Sequence, residues 1–372
     1  MTNTKWLSAL LAGTALTVAS TAAMADTSLI TMKRNLAGEG VTFSISPTAD
    51  MPAAATEVTI SGEVRGRALN SKVKGADSTT DMDSRARVIV KAKTETAVGT
   101  VGAYVRLEQS NGSVDGFDSG VDKTANTADD KNTDANFVNA DKAYGYWQMT
   151  PEWQLLVGRT DSISAIEAGI DWNFNGSLVG NVGGPTNSTE AQVRLTYGSG
   201  PFTWAVAIED SSPGTAAASN ASNYAIGSAL KFAAGSGIDF SLTGLAVEDS
   251  VGSSSDYFLG AGANFELGSV ATATVAAGMG EGKTGNSYLT VGADEAFSNA
   301  SVGLTFGVSE TTSLELGYGY TDADVAGKAS DITAALLWSP VSQMTLGAGI
   351  GYEDSDVDGK TTSAGLGAWF KF

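Results

Sequence analysis

Residues 56–372 repeat one pattern: apolar side chains at alternate positions, with small or polar residues between them. In the last segment Ala364, Leu366, Ala368, Phe370 and Phe372 fall on one face. Ser363, Gly365, Gly367, Trp369 and Lys371 fall on the other. A period of two is the period of a β-strand, so each segment has one greasy and one wet face. A soluble sandwich shares the period, but its wet face is rich in Lys, Glu, Thr and other long side chains. Here that face is mostly Gly, Ala, Ser and Thr, with Arg clustered early, and an aromatic residue closes the last strand. The pattern predicts an all-β chain folded as a transmembrane antiparallel β-barrel, its apolar side toward lipid.

The N-terminus reads as a secretory signal. Lys5 supplies the positive charge, residues 6–19 a short apolar stretch, and Ala23-Met24-Ala25 a small-x-small cleavage site. The expected organisation is a signal peptide over 1–25, an N-terminal extension over 26–55 and the barrel over 56–372. The extension carries Pro47, Pro52 and a brief alternation from Val41 to Ile45, and reads as either periplasmic or inserted in the pore. No later run is long and apolar enough for a spanning helix.

Composition removes much chemistry. The chain has no Cys and no His, so thiol catalysis, disulfides and the commonest general base and zinc ligand are gone. A net charge of −19 argues against nucleic-acid binding. Hydrophobic residues make up 42% of the chain, yet the mean hydropathy is −0.01, as expected when they occupy every second position. Glycine is abundant at 45 residues and proline scarce at 7, which suits paired strands and tight hairpins.

The spacing predicts about 16 strands, an even number as in bacterial barrels. Short links are expected at 96–98, 150–152, 198–201, 234–237, 268–269, 310–312 and 339–342. Long links are expected at 70–81, 111–139, 161–189, 211–221, 250–255, 280–297, 323–329 and 354–359, with the strand-like Ser287 to Val291 kept inside its loop. Such alternation predicts short periplasmic turns and long external loops.

Register then places charge inside. Arg65 and Arg67 of the first strand, Arg85 and Arg87 of the second, Arg106 of the third and Arg194 of the sixth share the inward face. Charges of that kind cost several kcal/mol in hydrocarbon, so a water-filled lumen is expected around them. The bland alternative is that they pair with Glu63, Glu108 and Glu190 and fill a narrow barrel. The link after the fifth strand carries Asp161, Glu167 and Asp171 among Ile163, Ile166, Ile170, Trp172 and Phe174. A solvated loop seldom holds that much apolar surface, so this third loop is expected to fold against the inside of the barrel. Its acids would then face the arginines across the bore. The alternative is an outer loop that covers a neighbouring subunit. Acidic stretches at Asp115–Asp134 and Glu353–Asp358 raise calcium or lipopolysaccharide-bridging ions as ligands, but neither has EF-hand spacing. A solvated acidic loop is the plainer reading. No cofactor is expected.

Two motifs are set aside. Ala277 to Thr284 resembles a phosphate-binding loop, but a β-like stretch follows where a helix is needed. The Gly-x-Gly runs at 260–262, 317–319 and 347–351 recur at period two and mark one strand face.

The segments Glu57-Val58-Thr59-Ile60-Ser61-Gly62 and Ser84 to Val88, followed by Glu95-Thr96 and Gly99, resemble the general-diffusion porins of alphaproteobacteria. The closing Trp369-Phe370-Lys371-Phe372 is similar to the terminal aromatic signal read by the outer-membrane assembly machinery, with Phe370 and Phe372 as its anchors. The resemblance implies a homotrimer in the lipid and lipopolysaccharide of a Gram-negative outer membrane, each pore narrowed by its third loop. By position it makes Asp161, Glu167 and Asp171 constriction acids and Arg65, Arg67, Arg85, Arg87 and Arg106 the facing basic wall. Residues 26–55 depart from the pattern. The expected function is a passive channel for ions and small hydrophilic solutes. The alternatives are a solute-selective barrel, for instance one stacking sugars on Tyr104, Tyr144, Tyr146 and Trp369, a barrel hydrolase without histidine, and a closed structural or adhesive barrel.

Overall fold

In the computed structural model, residues 30–34, 40–45, 56–111, 139–166, 189–210, 224–235, 237–248, 256–282, 295–325 and 327–372 are described. The signal-like segment 1–25 lies outside them. Two short strands come first, β1 (Ile30–Arg34) and β2 (Val41–Ile45). The barrel strands follow: β3 (Thr56–Val73), β4 (Ser78–Thr96), β5 (Gly99–Asn111), β6 (Asn139–Gln148), β7 (Trp153–Asp161), β8 (Thr189–Ser199), β9 (Phe202–Asp210) and β10 (Tyr224–Gly235). Then come β11 (Ile238–Glu248), β12 (Asp256–Leu267), β13 (Ala271–Gly282), β14 (Glu295–Ser309), β15 (Thr312–Ala323), β16 (Gly327–Val341), β17 (Met344–Ser355) and β18 (Gly359–Lys371). A single 3-10 turn, Ile163–Ile166, follows β7.

Each barrel strand pairs antiparallel with the next, and β18 returns to pair with β3, so β3 to β18 form a closed barrel of 16 strands. Closure leaves no unpaired edge, the condition for a sheet to stand in lipid. The seam is sealed at its last residue. Phe372 N–H donates to the Gly62 carbonyl at 2.9 Å, and Gly62 N–H donates back to the Phe372 carbonyl at 2.8 Å. The Phe372 ring lies over Gly62, where a Cβ would come within 2.5 Å of ring carbon. Beyond Gly62, β2 takes over the edge of β3 that β18 does not reach, pairing Val41 with Ile60 and Ile45 with Thr56, while β1 pairs with β2. The described part of the 26–55 segment is thus a hairpin that prolongs the seam at the short-turn end.

Seven links at that end are short, spanning 97–98, 149–152, 200–201, 236–237, 268–270, 310–311 and 342–343. The other end differs from expectation in three places. The links expected at 70–81, 323–329 and 354–359 shrink to 74–77, 324–326 and 356–358. The strands keep pairing through polar residues, as Asn70 with Thr80 and Asp322 with Lys328. Loss of apolar alternation marks where a strand leaves the greasy zone, not where its ladder stops. The stretch Ser287 to Val291 lies outside the described residues.

The two faces sort as the period requires. Ile332, Leu336, Ile350 and Leu366 are exposed on the outside. Gly317, Gly319, Gly349, Gly351 and Gly365 alternate with such residues on the inside and are covered. The Gly-x-Gly runs are therefore wall positions, and Ala277 to Gly282 is part of strand β13. Phe202, Trp204, Phe232 and Phe240 gather outside near the short-turn end, and Tyr224, Tyr257, Tyr318 and Tyr352 near the other. Tyr224 and Phe232 are eight residues apart on one strand. At about 3.3 Å per residue and a tilt of about 40°, that is about 20 Å across, close to the height of a barrel's apolar band.

Candidate functional site

The inner wall is the candidate site, and β3 to β8 carry its charge. Arg65 and Arg85 stand opposite one another across β3 and β4, as do Arg67 and Asp83, and Glu63 and Arg87. Arg67 donates to Asp83 at 2.8 Å, Arg85 reaches Glu63 at 3.4 Å and Arg87 reaches it at 3.0 Å, while Arg87 also pairs with Glu108. Arg106 pairs with Asp141, which occupies a bulge in β6, and Lys142 pairs with Asp161 at the end of β7. Arg194 donates to Gln192 at 2.8 Å and to the Asp161 carbonyl, and lies 4.0 Å from Glu209. All six expected arginines are thus on one inner wall. A partly desolvated cation needs a counter-charge nearby, and the wall supplies one to Arg67, Arg85, Arg87, Arg106, Lys142 and Arg194. The result is a belt of mixed sign.

Asp161 is expected across the bore, but it sits beside the basic wall, held by Lys142 on the neighbouring strand. Asp83, Asp141, Lys142 and Glu209 belong to the belt although the sequence reading did not select them. Asp83 had a readable signal, since it shares the inward register of Arg85 and Arg87. Glu167 and Asp171 lie outside the described residues, as does the acidic stretch Asp115–Asp134. In the other acidic stretch Asp354 is taken by Lys360 at 2.6 Å, and Asp356 accepts from the Lys328 backbone N–H at 2.9 Å. Among the described residues no group of three or more acidic side chains is arranged to hold a metal. At the outer turn beside it, a hydrogen bond from Lys328 holds the Asp322 carboxyl below its usual range.

The part of the wall next to the belt, on β9 to β12, is largely apolar, and the loop after β7 enters the barrel there. Ile163 is fully buried against Ala205, Ala207, Ala225, Ala229, Leu245 and Phe258. At Gly227 an added Cβ would stand 2.2 Å from the Ile163 side chain, so the wall is hollowed to receive it. Glu209, only 1% exposed, fixes the entry. Its carboxylate accepts from Ile163 N–H at 2.6 Å and from the Ser162 hydroxyl at 2.7 Å. Thr243 donates to the Ile163 carbonyl at 3.4 Å. The first residues of the third loop are therefore inside the barrel, as their apolar content predicts.

Toward the short turns from the charged belt lies an aromatic patch. Tyr104 pairs with Lys91 on one side and Tyr144 on the other. The two tyrosine rings stack at 5.1 Å with 11° between planes. With Tyr146 and the Lys93–Glu57 pair they line a cavity of about 330 Å³. Trp369 is not part of this group; its indole N–H donates to Glu63 at 3.1 Å.

The Gram-negative porin family matches residues 12–372. No curated protein sequence matches the chain. Among solved structures the fold is similar to the outer membrane channel DcaP of Acinetobacter baumannii, at 19% identity and a TM-score of 0.61, covering 85% of this chain and 97% of that one. It is similar to the anion-selective porin from Comamonas acidovorans, at 15% identity and 0.63, covering 85% and 100%. A mutant of the Rh. blastica porin matches at 16% identity and 0.54, again covering 85% and 100%.

Proposed function

This chain belongs to the Gram-negative porin family, and on that premise we propose that it works as a trimeric general-diffusion pore of the alphaproteobacterial kind. It is an outer-membrane β-barrel channel for passive diffusion of small solutes, and the family is one of channels rather than enzymes. The observation that carries the reading is the belt of paired charge on the inner wall of a closed barrel whose outer face is apolar. Such a wall is useful only to water and what dissolves in it.

In this reading residues 1–25 direct export, the short turns face the periplasm, and lipopolysaccharide surrounds the long loops. Arg65, Arg67, Arg85, Arg87, Arg106 and Arg194 form the basic side of the narrow zone. Its acidic side is supplied by Glu167 and Asp171, while Asp161, tied to Lys142, adds negative charge at the margin of the basic wall. Phe370 and Phe372 present the assembly signal. Oligomerisation is supported by the uneven outer face. Bulky Ile208, Ile226, Phe240 and Leu242 cover β9 to β11, whereas beside the seam Gly66, Ala68, Ala348 and Ala364 sit between Leu336, Ile350 and Leu366 in two grooves of about 540 and 590 Å³. Small residues let a second copy approach closely within lipid.

The test is the reversal potential of single channels under a salt gradient. Neutralising Arg85 and Arg87 together should move it toward cations, and Asp161→Asn toward anions. Both shifts should shrink as salt rises, because the Debye length is about 8 Å at physiological ionic strength. Unchanged potentials in dilute salt for both variants would remove these residues from the narrow zone.

A further inference from the structure

We propose that the aromatic patch below the charged belt is a binding subsite for small planar anions, of the class of aromatic carboxylates; the proposal rests on the channel reading. Three observations converge on it. First, Lys91 is exposed on the inner wall and, among the described residues, makes no ion pair with a carboxylate, unlike Lys93, Lys142 and Arg87 around it. Its ammonium instead stands 5.9 Å from the Tyr104 ring centre. A cation–π contact leaves the positive charge unneutralised, so it stays available to an anion. Secondly, Tyr104 and Tyr144 are held parallel by direct cross-strand pairing, and Tyr146 folds over the bare backbone of Gly102 on the adjoining strand. Three rigid aromatic side chains converge there with little rotamer freedom left to lose. Thirdly, these groups, with Thr59 and a Glu57 carboxylate paired to Lys93 at 3.3 Å, line a concave space of about 330 Å³, within the range of small-molecule sites and ample for one aromatic ring with its carboxylate.

The chemistry selects among solutes. An organic cation would meet Lys91 already seated at the tyrosine face. A sugar would leave the ammonium without a counter-charge. A ring bearing a carboxylate satisfies both, its face against the edges of the tyrosine pair and its oxygen against Lys91. The site lies past the mixed-sign belt, so it would retain a chosen solute briefly without closing the pore to others.

Benzoate is the probe, with cyclohexanecarboxylate, benzyl alcohol and glucose as comparisons. In planar bilayers at low salt, benzoate should interrupt the open-channel current at concentrations where the other three do not. Tyr104→Leu and Lys91→Gln should each raise the half-blocking concentration about tenfold, the size of one aromatic or charge contact. Tyr104→Phe should keep the block. Equal interruption by benzoate and cyclohexanecarboxylate, equal interruption by glucose, or a block indifferent to both variants would overturn the proposal. Saturation-transfer NMR of benzoate with the detergent-solubilised protein reads the site without current. Ring signals lost in Tyr104→Leu support it even if no channel opens, in which case the channel reading alone fails. Normal conductance with no transfer to benzoate overturns the subsite alone.

Discussion

Glu209 shows how much one side chain holds in place. It is a fully buried carboxylate on an otherwise small and apolar inner face, and its two oxygens receive the first two donors of the entering loop. Glu209→Ala strips the partners from a buried N–H and a buried hydroxyl, each worth about 1–3 kcal/mol when left unmade. The expected outcome is a loop that leaves its seat in a barrel that still folds. Limited proteolysis should cut within 162–188 faster than in the wild type, and single-channel current should become noisier. Wild-type cleavage and quiet current would show that Ile163 alone seats the loop. The sequence made the arginines legible because alternation assigns a face to every residue of a strand. It did not reveal Glu209 as an anchor, because its partners lie 46 and 47 positions away. Nor did it reveal that Asp161 belongs to Lys142, because a bulge at Asp141 resets the pairing between β5 and β6.

At the scale of elements, the alternation was sufficient to place nearly every strand, since one face must meet lipid and the other must not. Where it misjudged, it did so at strand ends beyond the apolar band, where Asn70, Thr80 and Lys328 still pair but no longer alternate. The N-terminal hairpin was legible only as a brief alternation at Val41 to Ile45, and its docking site on β3 was not, because it depends on how far β18 reaches. The aromatic belts were also in plain view, as Phe202, Trp204 and Phe232 near turns, but they gain meaning only once neighbouring strands are in register. The closing element yields a prediction. Phe372 contributes two backbone hydrogen bonds to Gly62 and a ring that covers it. Phe372→Asp sets a charge at the lipid-facing seam, where near the interface it costs up to about 1 kcal/mol, and it takes away the ring that covers Gly62. Outer-membrane levels should fall, with material accumulating in a protease-sensitive form. Normal levels of a heat-modifiable barrel would show that closure does not depend on this residue.

The whole molecule is a cylinder with three functions assigned to three surfaces. The greasy outer arc of β9 to β11 meets lipid, the arc at the seam is the surface proposed above for a second copy, and the inner wall carries charge. The net charge of −19 sits on this frame without forming it. The central claim is that the lumen conducts. Purified mature protein, folded and heat-modifiable, should insert into a planar bilayer in discrete steps grouped as a trimer would give. Conductance should rise in proportion to bulk salt, as in a water-filled path. Folded protein that inserts yet passes no current at any salt would contradict the account.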